Sequence, residues 1–272
     1  MSTRLLLTGY IVLVPLCVFS QSGTFSLGAK ASGQGYATVA LTDEWSVFNN
    51  PGGISEIKDV TSLFSYKNRF NLSALKEVSA GLILPLKSSS IGLTTYSFGD
   101  IHFRKQAAGL AYSSKVGIMN FGVKLSYFHF SIADHGSKGL VLFEIGGIAR
   151  ISKKIQFGMH IFNPNLAGTD VLENEESKPT LRVGSSYIPH KSLRLSMEVQ
   201  KSLTIKTNYK IGMEYEVFPN FLARIGITSR PTQIHYGVGY HTKRLNVDYA
   251  LSSHLVLGIS HQIGVSYHFF KK

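Results

Sequence analysis

Glu214 and Glu216 lie two residues apart, and His160, His235, His241 and His268 stand among ten histidines. By type, these residues could transfer protons or hold a metal. Two carboxyls on one strand face divide acid and base roles when their surroundings push the two pKa values apart. Here Arg194, Lys210 and Arg224 alternate with the acids in the neighbouring segments, and charge neutralisation explains the pair more simply. The histidines come from separate segments without the close spacing of a zinc signature. The chain also lacks a Gly-x-Ser-x-Gly elbow, a His-Glu-x-x-His pair and a phosphate-binding glycine loop. The sequence therefore implies no catalytic residue, no metal site and no cofactor.

The elements that must position these residues are strands. Tyr209, Ile211, Met213, Tyr215 and Val217 alternate with Asn208, Lys210, Gly212, Glu214 and Glu216, the period of two that a pleated strand imposes. Similar stretches recur at Thr61–Lys67, Lys76–Leu84, Ser90–Phe98, Phe103–Tyr112, Asn120–Phe130, Leu140–Ile151, Ile155–Phe162, Thr180–Ile188, Ser192–Gln200, Thr207–Phe218, Phe221–Thr228, Gln233–His241, Arg244–Ala250 and Leu257–Phe269. No helical pattern covers their apolar faces, so a closed barrel whose apolar side meets lipid satisfies the backbone best. The expected fold is all-β, a transmembrane antiparallel barrel of about fourteen strands, an even count that puts both chain ends on one side of the membrane. Prolines 85, 164, 179, 189, 219 and 231 sit at strand ends, where a missing N–H breaks no ladder. Connectors are expected to alternate in length, with tight turns on the side of the termini and longer loops such as Ser131–Gly139 opposite.

The same parity sends Arg182, Arg194, Glu198, Lys210, Glu214 and Arg224 into the lumen. Mixed signs on neighbouring strands imply a cross-linked interior, whereas a selectivity ring would show one sign at one depth. Inward Phe128, Phe130, Leu142 and Ile148 make a local apolar patch, read as packing for whatever fills the lumen. Gly146-Gly147 marks a bend in its strand, with a lateral gap as the alternative. The long loop Asn163–Pro179 carries Asp170, Glu173, Glu175 and Glu176 toward the outside. Four acids without a ligand pattern read as solvated loop.

Arg4 precedes an apolar run from Leu5 to Phe19, and Val18-Phe19-Ser20 suits a cleavage site before Gln21, so residues 1–20 read as an export signal. The run is shorter than the roughly 20 residues a spanning helix needs. Charged residues make up only 16%, aromatics reach 11% and there are 26 glycines, a mixture suited to strands that face lipid. The net charge of +12 raises the question of nucleic acid, but no basic cluster is interleaved with stacking aromatics, and nucleic-acid binding is excluded.

Residues 21–60 break the alternation and precede the barrel at 61–270. Gly-rich stretches around Ser26–Gly28 and Gly33–Gly35 read as loop. Leu41–Phe48 reads as a short helix capped by Thr42, and Asn49-Asn50-Pro51-Gly52-Gly53 breaks it. A fourteen-stranded barrel is wider than side chains alone can fill, so this segment is expected to plug the lumen. The run from Gly33 to Ile54, including Trp45, Asn49, Asn50, Pro51, Gly52 and Gly53, resembles the amino-terminal segment of the PorV/PorQ-like barrels of Bacteroidota, relatives of the FadL fatty-acid channels. Gly52 stands where that pattern often has Ala. The resemblance implies a FadL-type barrel in the outer membrane of a Gram-negative bacterium, with lipid around it. It also implies a non-enzymatic accessory subunit of a larger outer-membrane protein complex for secretion (type IX-like) or assembly. The alternative it leaves open is a FadL-like channel for a hydrophobic solute.

Overall fold

Alternating apolar and polar residues build fourteen strands in this computed structural model, which describes residues 26–164, 178–203 and 206–269. The strands are β1 (Thr61–Asn68), β2 (Lys76–Pro85), β3 (Ser89–Gly99), β4 (Phe103–Val116), β5 (Met119–Ile132), β6 (Gly136–Arg150) and β7 (Ile155–Phe162). The series continues with β8 (Thr180–His190), β9 (Leu193–Ser202), β10 (Asn208–Phe218), β11 (Phe221–Ser229), β12 (Thr232–His241), β13 (Leu245–His254) and β14 (Gly258–His268). Every strand pairs antiparallel with its sequence neighbours, and β1 closes on β14 from Thr61↔His268 to Asn68↔His261. Closure leaves no strand edge, so every ladder is satisfied within the wall.

Parity sorts the two faces. Outward side chains such as Phe64, Leu110, Leu125, Ile211 and Val238 are exposed, while their neighbours Ser65, Ala111, Lys124, Lys210 and Gly237 point into the barrel. An apolar outer band of this kind needs a hydrocarbon solvent. Tyr112, Phe121, Phe157, Tyr187, Phe221, Tyr240 and Tyr267 gather on the outer face near the rim of the termini, the position of an interfacial aromatic girdle. Among the described residues no helix is long and apolar enough to cross a membrane.

The hairpins run further than periodicity suggested. β4 and β5 extend to a turn at Gly117-Ile118, and Ser131–Gly139 shrinks to the three residues Ala133–His135 between β5 and β6. The expected alternation of connector length is therefore weak: Asp100–His102, Arg230–Pro231 and Leu255–Leu257 are as tight as the turns at the opposite rim. Ser113, just past the expected end of β4, has its hydroxyl within hydrogen-bonding distance of the carbonyls of Gly52 and Phe121 and donates to one of them.

The segment before β1 lies inside the barrel. It forms α1 (Ala29–Gly33), α2 (Ser46–Asn49) and a 3-10 turn over Pro51–Glu56. This corrects two local expectations. The glycines around α1 flank a helical turn instead of forming a loop, and the helix expected from Thr42 starts only at Ser46. Ser46 Oγ accepts from Asp43 N and donates to Leu41 O, while the acids expected in the first turn are spent elsewhere in the lumen. Pro51 opens the 3-10 turn, where its lack of an N–H costs nothing, and Asn50 Oδ1 accepts from Gly52 N.

Candidate functional site

One side of this hatch is apolar. Trp45, Val47, Phe48 and Ile54 pack with Leu63, Ile83, Tyr96 and Ala111 of β1–β4, and the Trp45 ring stacks 6.1 Å from Phe48. Trp45 is 1% exposed, so the hatch carries its own dry core against the wall. Removing this much apolar surface from water stabilises the docked state at roughly 25 cal/mol per Å².

The wall makes room with glycine. Several inward positions that face the hatch are glycine, and a Cβ there would strike it: at Gly146 the Asn50 side chain and the Pro51 ring, at Gly158 the backbone of Val39, at Gly212 that of Gln34 and at Gly226 that of Gly35. Gly146 thus serves close approach. The pairings Gly146↔Gly122, Gly146↔His160 and Gly147↔Met159 run unbroken, so the lateral gap considered for Gly146-Gly147 is absent.

The other side of the hatch is polar and ionic. Glu198 on β9 accepts from Arg182 Nε at 2.7 Å, from Lys210 Nζ at 2.8 Å and from the backbone N–H groups of Thr38 and Val39 at 2.9 Å each. Arg182, 1% exposed, also donates to Asn49 O and to Thr38 Oγ1. Two buried cations, one carboxylate and the hatch backbone therefore form a single knot, in which each charge compensates the desolvation of the others. Asn49 caps Leu27 with reciprocal bonds, and Asn50 Nδ2 donates to Val39 O.

A second knot follows on β9–β13. Glu214 accepts from Arg224 Nε and from Gln34 Nε2 of the hatch, with Arg194 at 3.5 Å; Arg224 also reaches Asp248, which His241 approaches to 2.8 Å. Glu216 sits apart at the rim and accepts from Asn220 N, so the two glutamates share no site. The predicted lumen residues Arg182, Arg194, Glu198, Lys210, Glu214 and Arg224 thus occur as two adjacent clusters that grip the hatch. Asp170, Glu173, Glu175 and Glu176 lie outside the described residues.

Several anchors were missed by sequence reasoning. Lys30 and Asp43 pair at 3.0 Å within the hatch, Glu44 accepts from Asn246 and Ser266, and Glu56 meets Lys115, Asn120 and Arg150. Burial opposes the charge on Glu44, yet Lys30 and these hydrogen bonds hold its carboxyl at about 2. Burial likewise opposes charge on Glu56, but Asn120, Lys115 and Arg150 hold it below the usual carboxylate range. The available signal was glycine at inward parity, where a barrel interior otherwise carries polar side chains.

Toward the rim opposite the termini, Phe128, Leu142 and Phe162 form a separate buried apolar cluster with Phe130, Leu140 and Ala107 around it. Its named members are all wall residues, and Ala107 packs both against it and against the apolar core of the hatch; Ile148 lies nearer the termini and outside it. The level between cluster and hatch is marked by Lys124, which pairs with Glu144 at 3.3 Å and lies over the Phe48 ring, and by His160 bonded to Glu144. Among the described residues no group of histidine, cysteine and acidic side chains could hold a metal ion.

A hatch-filled fourteen-strand barrel is the fold of FadL-like outer-membrane channels. The chain superposes on the CymD monoaromatic hydrocarbon channel with a TM-score of 0.70 at 12% identity, covering 92% of this chain and 100% of that one. The P. putida toluene transporter TodX matches with a TM-score of 0.68 at 11% identity over 92% of this chain and 100% of that chain. No protein-family model and no curated protein sequence matches the chain. At these identities the likeness concerns the fold, and nothing in it singles out the PorV/PorQ-like branch.

Proposed function

We propose that this chain is an outer-membrane barrel that passes small hydrophobic compounds, with residues 21–60 as its gate and residues 1–20 as a removable export signal. The observation that carries this reading is the apolar cluster of Phe128, Leu142 and Phe162 on the far side of a lumen-filling hatch. It is supported by the fold's likeness to a toluene transporter and a monoaromatic hydrocarbon channel. These side chains are buried against one another, and parting them would open an apolar lining that takes a hydrophobic solute from the outer side and holds it without hydrogen bonds. Passage then requires the hatch to yield along its ionic side, because that side can be rehydrated while the Trp45 side would expose apolar core. Such a role needs no catalytic group.

Uptake of a radiolabelled monoaromatic hydrocarbon by cells producing the chain tests this reading. Native chain is expected to raise uptake over barrel-free cells, and Leu142→Arg, which places a charge in the apolar cluster, to abolish the gain. Equal uptake with and without the barrel overturns it.

A second reading, an accessory subunit of a secretion complex of type IX kind, draws on the two buried ionic knots that tie the hatch to the wall. A lumen so tied suits a static scaffold within a larger assembly. Affinity purification from outer membranes in mild detergent separates the two: stoichiometric partners support the scaffold, and recovery as a lone barrel rejects it.

A further inference from the structure

The connectors at the two rims differ in charge. At the rim of the termini, the turns after β2, β6, β8 and β12 carry Lys87, Lys153 with Lys154, Lys191, and Lys243 with Arg244, and none of the six turns there holds a carboxylate. All six of these cations are exposed, and among the described residues none makes an ion pair. The opposite connectors carry Asp100, Asp134 and the acids of the long loop, set against Arg69, Lys178, Lys206 and Arg230.

The basic rim is also greasy. Leu86 precedes Lys87 and is 54% exposed; Ile151 precedes Lys153 and is 58% exposed; Ile118 tips the neighbouring turn at 62%. The aromatic girdle of Tyr112, Phe157, Tyr187 and Tyr240 lies immediately inside this rim on the outer face. The turns after β2 and β6 therefore offer an apolar residue at the depth where acyl chains begin and a cation at the depth of the headgroups, those after β8 and β12 add cations, and Ile118 adds an apolar tip between them. Water alone would reward the cations but not the apolar tips. A folded acidic protein would need one flat face, whereas these cations are spread around the wall, where lipids can meet them one by one.

We infer that this rim is a binding collar for anionic glycerophospholipid headgroups, one or two at each of its four basic turns, in the leaflet that faces the termini. Lysine and arginine close to an anionic leaflet attract it electrostatically, with a range limited to a Debye length. The collar fixes the depth and orientation of the barrel independently of what passes through the lumen.

The test uses the full chain reconstituted in phosphatidylcholine vesicles with spin-labelled phosphatidylglycerol or spin-labelled phosphatidylcholine as probe. The read-out is the motionally restricted fraction of each label. The collar predicts a preference of about threefold or more for phosphatidylglycerol, falling as salt is raised. It also predicts loss of most of that preference in a Lys87→Gln, Lys153→Gln, Lys154→Gln, Lys191→Gln variant. Neutralising Arg104, Lys138, Lys201 and Arg230 toward the other rim should leave it unchanged. No preference, a preference that survives the collar substitutions, or one that moves with the opposite rim overturns the inference. All eight side chains are exposed, so neither variant is expected to unfold; retained heat-modifiable gel mobility checks this, and a variant that loses it is replaced by Lys87→Gln with Lys191→Gln alone.

Discussion

Glu198→Gln probes the clamp most directly, because it keeps the shape of the side chain and removes its charge. The native carboxylate accepts from Arg182, Lys210, Thr38 N and Val39 N. In the variant two cations, 1% and 4% exposed, lose the one counter-charge they pair with among the described residues. Breaking a buried pair from one side costs roughly 3–5 kcal/mol, since the remaining charge stays desolvated and uncompensated. At about 1.4 kcal/mol per factor of ten, the released state of the hatch should gain about two to three and a half decades in population. Hydrogen exchange read by mass spectrometry on the folded protein in detergent measures this at the amides of Thr38 and Val39. Protection there should fall by about 10²- to 10³-fold, while the β1–β14 ladder keeps its protection. Replacing Arg182 and Lys210 by glutamine in the same chain should restore part of the loss, because no uncompensated charge then remains. A change below about threefold at Thr38 and Val39 in the single variant would refute the reasoning that the knot holds the hatch.

The remaining predictions concern seating, packing and pH. Gly158→Val places a side chain against Val39 and the main chain of Ala40; the hatch is expected to be expelled, so that protease added to the folded barrel cuts within residues 26–60, whereas the native hatch resists. Trp45 is the only tryptophan, and its burial predicts blue-shifted emission shielded from acrylamide, with quenching that rises in Glu198→Gln; Trp45→Ala should cost about 3–5 kcal/mol through the cavity it leaves. For Glu56 the folded-state carboxyl lies below its ordinary value of 4.5, so its contribution is present above that value and is lost as pH falls through the depressed one. For a cysteine placed at Ile57, the labelling rate divided by that of a fully exposed control cysteine at the same pH, which cancels thiol ionisation, should stay low above 4.5 and rise as pH falls through the depressed value, and Glu56→Gln should give a high ratio that does not change with pH.

The number and closure of the strands, and some of their ends, were legible because a strand's period of two is local and recurs on every strand. Ile155–Phe162 needed no adjustment as β7, and Thr61 and Phe221 opened their strands as expected. The inward charges were legible for the same reason. Their partners were not: Glu198 meets the backbone of Thr38 and Val39 across about 160 residues of chain, a contact that no periodicity encodes. Hairpin length was misread at β4–β5 and β5–β6, where the ladder runs on past the residues that show clear alternation. α1 was misread because its glycines flank the helix and face Gly237 and Gly226 in the wall.

The sequence by itself determined a membrane-facing barrel with a mixed-charge lumen and a non-strand segment ahead of it, since each follows from composition and near-neighbour spacing. Only the tertiary structure decided that the charges form two knots around the hatch, that inward glycines make its berth, and that Phe128, Leu142 and Phe162 form an apolar cluster of their own among the described residues. The physical reason is that the sequence sets which face a side chain takes, whereas its partner depends on how a folded segment lies across a lumen built from every other strand.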